Sequence, residues 1–245
     1  MYKRITLLTL QTFGDTGGIQ KMTRTLAHSL NSICCKEGWD FKLVSLYDNN
    51  TDLMPQYIPE ANFKGYSKKK ISFLLHNVFT TQKPDVVILS HINLAVVGLL
   101  IKQIRPRTKI WLVAHGIEVW RPLSFNMRQL LARCDKILCV STFTLKQMEI
   151  LHRVPKGKGM VLNNVLDPFM HLPTDLSKPV SMQKRYGLNP SDKVILSLTR
   201  LASAEQYKGH DSVLKAIAVL KHKYSNLRYL LAGKYDNIEG ESIGS

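Results

Sequence analysis

The stretch KIWLVAHGIEVWRPLSFNMRQLLARCDKILCV, residues 109–140, decides the fold. Its two ends, KIWLV and KILCV, are short apolar runs, which is the pattern of strands buried on both faces of a sheet. Between them, residues 124–133 carry apolar side chains at helical spacing. The order strand, helix, strand predicts two parallel strands joined by a right-handed crossover, so both strands end at the same edge of the sheet.

The same alternation continues on both sides of this unit. The apolar pattern predicts strands at 4–10, 41–46, 85–89, 109–113, 136–140 and 159–162, and helices at 19–36, 71–81, 93–104, 124–133 and 142–151. This order favours an α/β fold, with a complete Rossmann-like parallel-sheet domain over residues 1–165. Ligands of such sheets bind beyond the carboxyl ends of the strands, where functional residues are therefore expected.

A second, shorter domain is predicted after a linker. Residues 166–180 contain three prolines and little periodicity, which is typical of a connection between domains. The alternation then restarts over 181–245, with helices predicted at 181–186 and 210–223 and strands at 193–198 and 227–231. Because an α/β domain normally needs about 100 residues or more, we expect this region to be only the first part of a second Rossmann-like domain.

Composition excludes several classes of protein. Hydrophobic residues make up 44% of the 245 residues, which a disordered chain does not have. The 34 Lys and Arg against 18 Asp and Glu give a net charge of +16, which attracts phosphorylated ligands, acidic lipids or nucleic acid. No nucleic-acid-binding motif is present, so no nucleic-acid partner is expected. The four cysteines have no metal-binding or redox spacing, which favours a cytoplasmic protein.

The loop between the first predicted strand and helix is rich in glycine. Gly17 and Gly18 directly precede the predicted helix, whose free N–H groups and positive dipole end favour an anion. Glycine permits close approach of the backbone and positive φ angles, although an ordinary tight turn explains the pattern equally well. The spacing G-x-x-G-G is not the dinucleotide fingerprint G-x-G-x-x-G, which argues against a nicotinamide-dependent dehydrogenase.

Two further loops carry candidate residues at the same kind of edge. His115 and Glu118 follow the strand at 109–113, where an imidazole and a carboxylate can hydrogen-bond a hydroxyl or carbonyl of a substrate. Arg200 follows the strand at 193–198, and Lys208 precedes the next helix, so both cations flank one loop and can bind a diphosphate. A structural histidine and two solvated cations are the alternative interpretations.

Membrane contact is predicted through residues 63–79, FKGYSKKKISFLLHNVF. Basic residues and an amphipathic stripe occur together there, and a basic amphipathic helix can lie on an anionic membrane surface. An ordinary domain helix with a solvated basic start is the alternative. The longest apolar run, 86–101, is interrupted by Ser, His and Asn and favours a buried strand and helix over a membrane span.

These pieces together resemble the family 4 retaining glycosyltransferases, which have the GT-B fold of two Rossmann-like domains. The resemblance spans nearly the whole chain. It is carried by TGGIQK (16–21), HGIEVW (115–120), ARCDKILCVSTFT (132–144), NNVLDPF (163–169) and LTRLASAEQYKGHDSVLKA (198–216).

The resemblance implies an activity and roles for the candidate residues. Such enzymes transfer a sugar from a nucleotide-sugar donor with retention and usually without a metal, so neither a cofactor nor a metal is expected. By resemblance, the Gly17–Gly18 loop approaches the acceptor and the donor phosphate, and His115 lines the cleft near the donor sugar. Arg200 and Lys208 would hold the diphosphate. The acceptor is expected to be a cell-surface glycan or a lipid-linked glycan, with the enzyme at the inner face of the membrane.

One element of the family pattern is absent from the sequence. The family's E-x7-E element, which contacts the donor, has no match, because Glu239 and Glu241 differ from it in spacing and surroundings. We therefore expect this chain to be truncated within the donor-side domain and catalytically incomplete. The alternative function is a non-catalytic fragment of the same fold that binds a glycan or a protein partner.

Overall fold

The computed structural model describes residues 2–80, 83–199 and 209–233. The chain divides into two compact units, Met1–Met170 and His171–Ser245. The predicted linker, 166–180, includes the boundary between them. Each unit is described by itself below.

The first unit contains a seven-stranded, fully parallel sheet with the strand order β3-β2-β1-β4-β5-β6-β7. Its strands are β1 (Arg4–Thr9), β2 (Asp40–Ser45), β3 (Phe63–Gly65), β4 (Val86–Leu89), β5 (Lys109–Ala114), β6 (Lys136–Cys139) and β7 (Gly159–Val161). Its helices are α1 (Gly18–Glu37), α2 (Lys70–Phe79), α3 (Ala95–Ile104), α4 (Phe125–Arg133) and α5 (Thr142–His152). The order of the strands reverses between β1 and β4, and ligands of open α/β sheets bind at such a switch point.

The second unit repeats the same local pattern on a smaller scale. It contains α6 (Val180–Tyr186), β8 (Lys193–Leu198), α7 (His210–Lys223) and β9 (Leu227–Ala232). Strands β8 and β9 pair in parallel from Lys193 with Leu227 to Leu198 with Ala232. The parallel α/β architecture predicted from the sequence is therefore confirmed.

The core of the first unit lies on both faces of the sheet because successive side chains of a strand point in opposite directions. In β1, Leu7 packs into one buried cluster and Leu8 into the other, and both side chains are fully buried. The central strands β4 and β5 divide their side chains in the same way. This double burial explains why the strands read as continuous apolar runs in the sequence.

Only part of the basic region 63–79 is helical, since α2 begins at Lys70, one residue before the predicted helix. Phe63–Gly65 forms the short edge strand β3, which pairs with Leu43–Ser45 of β2. Ser67 and Lys68 then adopt positive φ angles, and the helix begins only at Lys70. Lys64 therefore lies on the sheet and Lys68 in a turn, and neither belongs to the helix. Strand β3 was not predicted because Phe63 is its only apolar side chain, so it forms no apolar run in the sequence.

Candidate functional site

The loops that follow β1, β4 and β5 lie side by side because these three strands are neighbours and parallel. The glycine-rich loop follows β1, Ser90 and His91 follow β4, and His115 follows β5. The fold thus brings two of the predicted features, Gly17–Gly18 and His115, to the same edge of the sheet at its switch point.

A buried carboxylate holds the start of the glycine-rich loop. Asp48 is fully buried, and its carboxylate accepts hydrogen bonds from the amides of Thr12 at 2.7 Å, Phe13 at 3.3 Å and Gly14 at 2.8 Å. The hydroxyl of Ser45 also donates to this carboxylate, at 2.6 Å. A carboxylate that accepts several hydrogen bonds is well compensated for its burial, so Asp48 fixes the path of the loop.

A buried guanidinium holds the same loop through its carbonyl groups. Arg24, on α1, donates through Nε to the carbonyl of Thr12 at 2.7 Å and through Nη2 to that of Asp15 at 2.5 Å. A longer bond of 3.3 Å reaches the carbonyl of Phe13. Asp48 and Arg24 therefore clamp the loop through its amides and its carbonyls. The sequence analysis missed both residues, because their partners are 9 to 36 positions away along the chain.

Gly18, at the end of the loop, leaves space at the start of α1, whereas a Cβ on Gly17 would lie 2.5 Å from Oε1 of Gln20. Gly17 has an extended backbone, with φ at −172°, so the positive φ that glycine permits is not used here. A Cβ added to Gly18 would meet no atom within 4 Å. The first N–H groups of an α-helix have no partner within the helix, so this open space is next to unpaired donors. A ligand can approach the backbone closely at this point.

His115 is held in a single tautomer by a backbone carbonyl. Its Nε2 lies 2.8 Å from the carbonyl oxygen of Ser90, which can only accept, so Nε2 carries the proton and Nδ1 has the lone pair. Burial lowers the pKa of His115, although the Ser90 carbonyl and Glu118 act in the opposite direction. The ring is therefore neutral at neutral pH and can accept a hydrogen bond.

His91, which the sequence analysis missed, offers a hydrogen-bond donor where His115 offers an acceptor. Its Nδ1 accepts a hydrogen bond from the amide of Asn93 at 3.0 Å, so the proton lies on Nε2. Burial lowers the pKa of His91, and the nearby His115 and Arg121 lower it further, against an opposing effect of Glu118. Its position directly after a predicted strand was the available signal, but we interpreted His91 only as an interruption of an apolar run.

Glu118 has a structural contact at this site. Its Oε1 accepts a hydrogen bond of 2.6 Å from the backbone amide of His115. Within the described part of the chain, its other oxygen makes no hydrogen bond. Glu118 therefore positions the peptide of His115 with one oxygen and leaves the other available to a hydroxyl group.

The end of the first unit is fixed by residues of the NNVLDPF motif. The hydroxyl of Tyr57 donates to the carboxylate of Asp167, and the ring of Phe169 contacts the rings of His28 and Tyr57, each at 5.1 Å between centroids. Burial and then the bond to Asp167 raise the pKa of Tyr57 to about 12. The motif thus anchors the chain on the first unit just before the second begins.

Arg200 and Lys208 lie outside the described residues, so their roles stay predictions. The described residues contain no group of three or more His, Cys, Asp or Glu side chains arranged to hold a metal ion. Among the described helices, none is both long enough and apolar enough to cross a bilayer. All four cysteines are free thiols, and three of them are buried.

The pKa values of the two histidines predict how stability depends on pH. Because folding lowers both values below the usual value of about 6.5, the unfolded chain binds more protons just below that pH. We expect the Tm to fall by a few degrees from about pH 6.5 to about pH 5, since each kcal/mol lost from the free energy of unfolding lowers the Tm by about 2–4 °C. Replacing both His91 and His115 with glutamine should flatten this dependence, whereas replacing the exposed His171 should not. An equal pH dependence in all variants, measured by thermal unfolding, would contradict the assignment.

Comparison with known proteins places the chain in a family. Residues 16–168 match the model of Glycosyltransferase Family 4. A search of curated protein sequences found no significant match. Among solved structures, HepE of Anabaena in complex with UDP is similar, with a TM-score of 0.71 and 16% identity over 98% of this chain and 64% of HepE. The chain therefore spans less than two thirds of the length of HepE.

Two other similar structures show how widely this fold is used. The lipopolysaccharide outer core galactosyltransferase WaaB has a TM-score of 0.55 and 10% identity, over 99% of this chain and 71% of WaaB. The UDP-N-acetylglucosamine 2-epimerase of Rickettsia bellii has a TM-score of 0.55 and 14% identity, over 99% of this chain and 64% of the epimerase. At these identities the likeness shows the fold alone, a GT-B-like α/β fold. The family follows from the match that covers more than half of the sequence: the chain belongs to glycosyltransferase family 4.

Proposed function

We propose that the protein transfers a sugar from a nucleotide-sugar donor to a glycan or lipid-linked acceptor in the synthesis of cell-surface polysaccharide. The observation that carries the proposal is the meeting of the open Gly17–Gly18 turn with His91 and His115 at the switch point of a family 4 sheet. The binding of UDP and of UDP-glucose by HepE supports a nucleotide-sugar donor.

The proposed reaction keeps the anomeric configuration of the sugar and needs no metal. The bond between C1 of the sugar and the diphosphate breaks, the bond to the acceptor oxygen forms, and the nucleoside diphosphate and one proton are released. In this proposal Arg200 and Lys208 stabilise the charge that develops on the diphosphate, as two cations in place of a metal. The Gly17–Gly18 turn borders the phosphates and the acceptor.

The two neutral histidines suit the binding of sugar hydroxyl groups. Nδ1 of His115 can accept a hydrogen bond, and the Nε2–H of His91 has no partner in the described part of the chain and can donate one. A hydroxyl group is both a donor and an acceptor, so the pair offers complementary contacts. We propose that His115 and Glu118 contact the substrate sugar, and that His91 adds a contact that the sequence analysis did not foresee.

Transfer by a version of the protein that also carries the family's E-x7-E element tests the proposal, because this chain by itself is expected to be catalytically incomplete. We expect a panel of radiolabelled nucleotide sugars, supplied with EDTA and a glycan acceptor mixture, to give a labelled product from one donor. NMR of the product's anomeric proton should show the configuration of the donor. Absence of transfer from every donor, with nucleotide-sugar binding retained in calorimetry, would favour the alternative of a non-catalytic glycan-binding protein. Absence of both would contradict the proposal.

A second activity deserves a parallel assay because the UDP-N-acetylglucosamine 2-epimerase of Rickettsia bellii shares the fold. Incubation with UDP-N-acetylglucosamine and separation of the two epimers measures it directly. We expect no epimerisation, since the match to a glycosyltransferase family covers residues 16–168. Formation of the epimer without any sugar transfer would replace the proposed function.

We also propose that the first unit adsorbs to an anionic membrane through α2, which would place the protein at the cytoplasmic face. Ile71, Leu75 and Phe79 form a stripe at helical spacing, and their side chains are 74%, 50% and 64% exposed. Lys68, Lys69 and Lys70 stand at the start of this helix, next to the stripe. Exposed apolar side chains beside cations suit a surface of anionic lipid.

Neutralising Lys68, Lys69 and Lys70 with glutamine should weaken binding to phosphatidylglycerol vesicles roughly 10- to 100-fold, because each cation contributes about 1 kcal/mol near an anionic surface. Sedimentation with vesicles measures the effect. As a control, replacing Val96 and Ile104, the exposed apolar residues of α3, with serine should leave binding unchanged. Equal binding of the triple variant and the wild type would rule out this surface.

A further inference from the structure

Two exposed aromatic rings lie beside the candidate site. Trp120 is 39% exposed and Phe143 is 56% exposed, and their ring centroids are 5.1 Å apart at an angle of 89°. Trp120 belongs to the loop after β5, and Phe143 to the first turn of α5, directly after β6. Strands β5 and β6 are paired, so both rings lie at the edge of the sheet that carries His115. We call this pair the aromatic ledge.

The loop between His115 and Trp120 is built to hold the indole ring in place. Gly116 has a φ of +147°, and a Cβ at this position would lie 2.9 Å from Cζ2 of Trp120. The amide of Trp120 donates to the carbonyl of Gly116 at 3.1 Å. Only glycine suits both this backbone conformation and this contact, so the ring is seated directly on the backbone.

Buried contacts on either side of the ring fix the same loop. Val119 is fully buried, and its carbonyl oxygen lies 2.6 Å from Nε2 of His152 on α5. Glu118 binds the amide of His115. A large ring that remains partly exposed in a loop fixed this firmly is pre-organised for a ligand, since little side-chain freedom is lost when one binds.

We propose that the aromatic ledge is the acceptor subsite and that it binds a pyranose ring of the acceptor glycan; this inference rests on the proposed function. A pyranose has an apolar face of C–H groups and a rim of hydroxyl groups. The ledge offers aromatic surface for the face, and the oxygen of Glu118 that does not bind the amide of His115 offers a polar contact for the rim. An aromatic wall beside a few fixed polar groups is the usual composition of a small-ligand site.

Saturation-transfer NMR with methyl glycosides tests the proposal without depending on catalysis. The probes are the methyl glycosides of glucose, galactose, mannose and N-acetylglucosamine, together with their β-1,4-linked disaccharides. We expect at least one to bind through its C–H face to the wild-type chain. Trp120→Ala should weaken that binding about tenfold, which corresponds to about 1.4 kcal/mol, and Trp120→Phe should retain most of it. Phe79→Ala, which removes a more exposed aromatic ring on α2, should have no effect on glycoside binding.

A second variant separates ring position from ring loss. Gly116→Ala keeps the indole but displaces it, and it should weaken glycoside binding as Trp120→Ala does. Thermal unfolding verifies that each variant folds. The proposal would be overturned if the wild type bound no glycoside, or if Trp120→Ala bound the glycoside as tightly as the wild type. It would also be overturned if farnesyl phosphate, a lipid without a sugar, displaced the bound glycoside. Calorimetry with nucleotide sugars runs in parallel. If the wild type binds a nucleotide sugar but the glycoside results contradict the aromatic ledge, only the acceptor subsite is refuted. If the wild type binds no nucleotide sugar, the proposed function is refuted.

Discussion

Replacing Asp48 with alanine should lower the free energy of unfolding by about 3–5 kcal/mol, the largest stability effect that we expect from a single polar side chain. The substitution removes the acceptor of the buried amides of Thr12 and Phe13 and of the less buried amide of Gly14. It also removes the shorter of the two hydrogen bonds that the Ser45 hydroxyl donates. Urea unfolding followed by circular dichroism measures the change. Hydrogen exchange should also quicken at these three amides.

The matched control for Asp48 is Asp15, an exposed carboxylate of the same loop. In the part of the chain that the structure describes, the Asp15 carboxylate accepts a hydrogen bond only from the neighbouring amide of Thr16, at 2.7 Å. Asp15→Ala should therefore cost less than about 1 kcal/mol. A similar small cost for Asp48→Ala would mean that water replaces the carboxylate easily. The loop would then not be clamped as described.

In a catalytically complete version of the protein, replacing Arg200 or Lys208 with alanine should reduce turnover by about 10²–10³-fold, as the loss of one transition-state donor does in other enzymes. In the proposed reaction each cation stabilises the departing diphosphate, whose charge grows in the transition state. Steady-state transfer assays of the two variants measure this effect. The Lys221→Ala variant, which removes an exposed cation on α7, serves as the control and should keep the wild-type rate. Near-normal turnover of both Arg200→Ala and Lys208→Ala would refute the diphosphate clamp.

Periodicity was sufficient to predict the sheet and its helices. In the central strands the predicted and observed bounds differ by one residue, and in α7 they agree, since long apolar runs between turn residues leave few alternatives. The edge strand β3 was missed because Phe63 is the only apolar side chain among its three residues, so it forms no apolar run.

The candidate site was predictable only in part. Gly17–Gly18 and His115 were found because they follow predicted strands, and parallel strands end at one edge. Asp48 and Arg24 were missed because their contacts with the loop depend on tertiary structure, and a charged residue in a sequence suggests solvent. Trp120 was read within the HGIEVW motif, but its contact with Phe143 joins two loops that only the pairing of β5 with β6 brings together.

The most direct test of the account is to map where a nucleotide sugar binds. Hydrogen exchange of the purified chain, followed by mass spectrometry, compares the free protein with the protein saturated by the nucleotide sugar that calorimetry identifies. The account predicts slower exchange in the peptides that cover residues 14–20, 90–93 and 115–120, which follow the three neighbouring strands at the switch point. The first unit also has a cavity whose lining includes Arg128, Arg153 and Lys158. Protection confined to that cavity, with unchanged exchange at these three loops, would contradict the account.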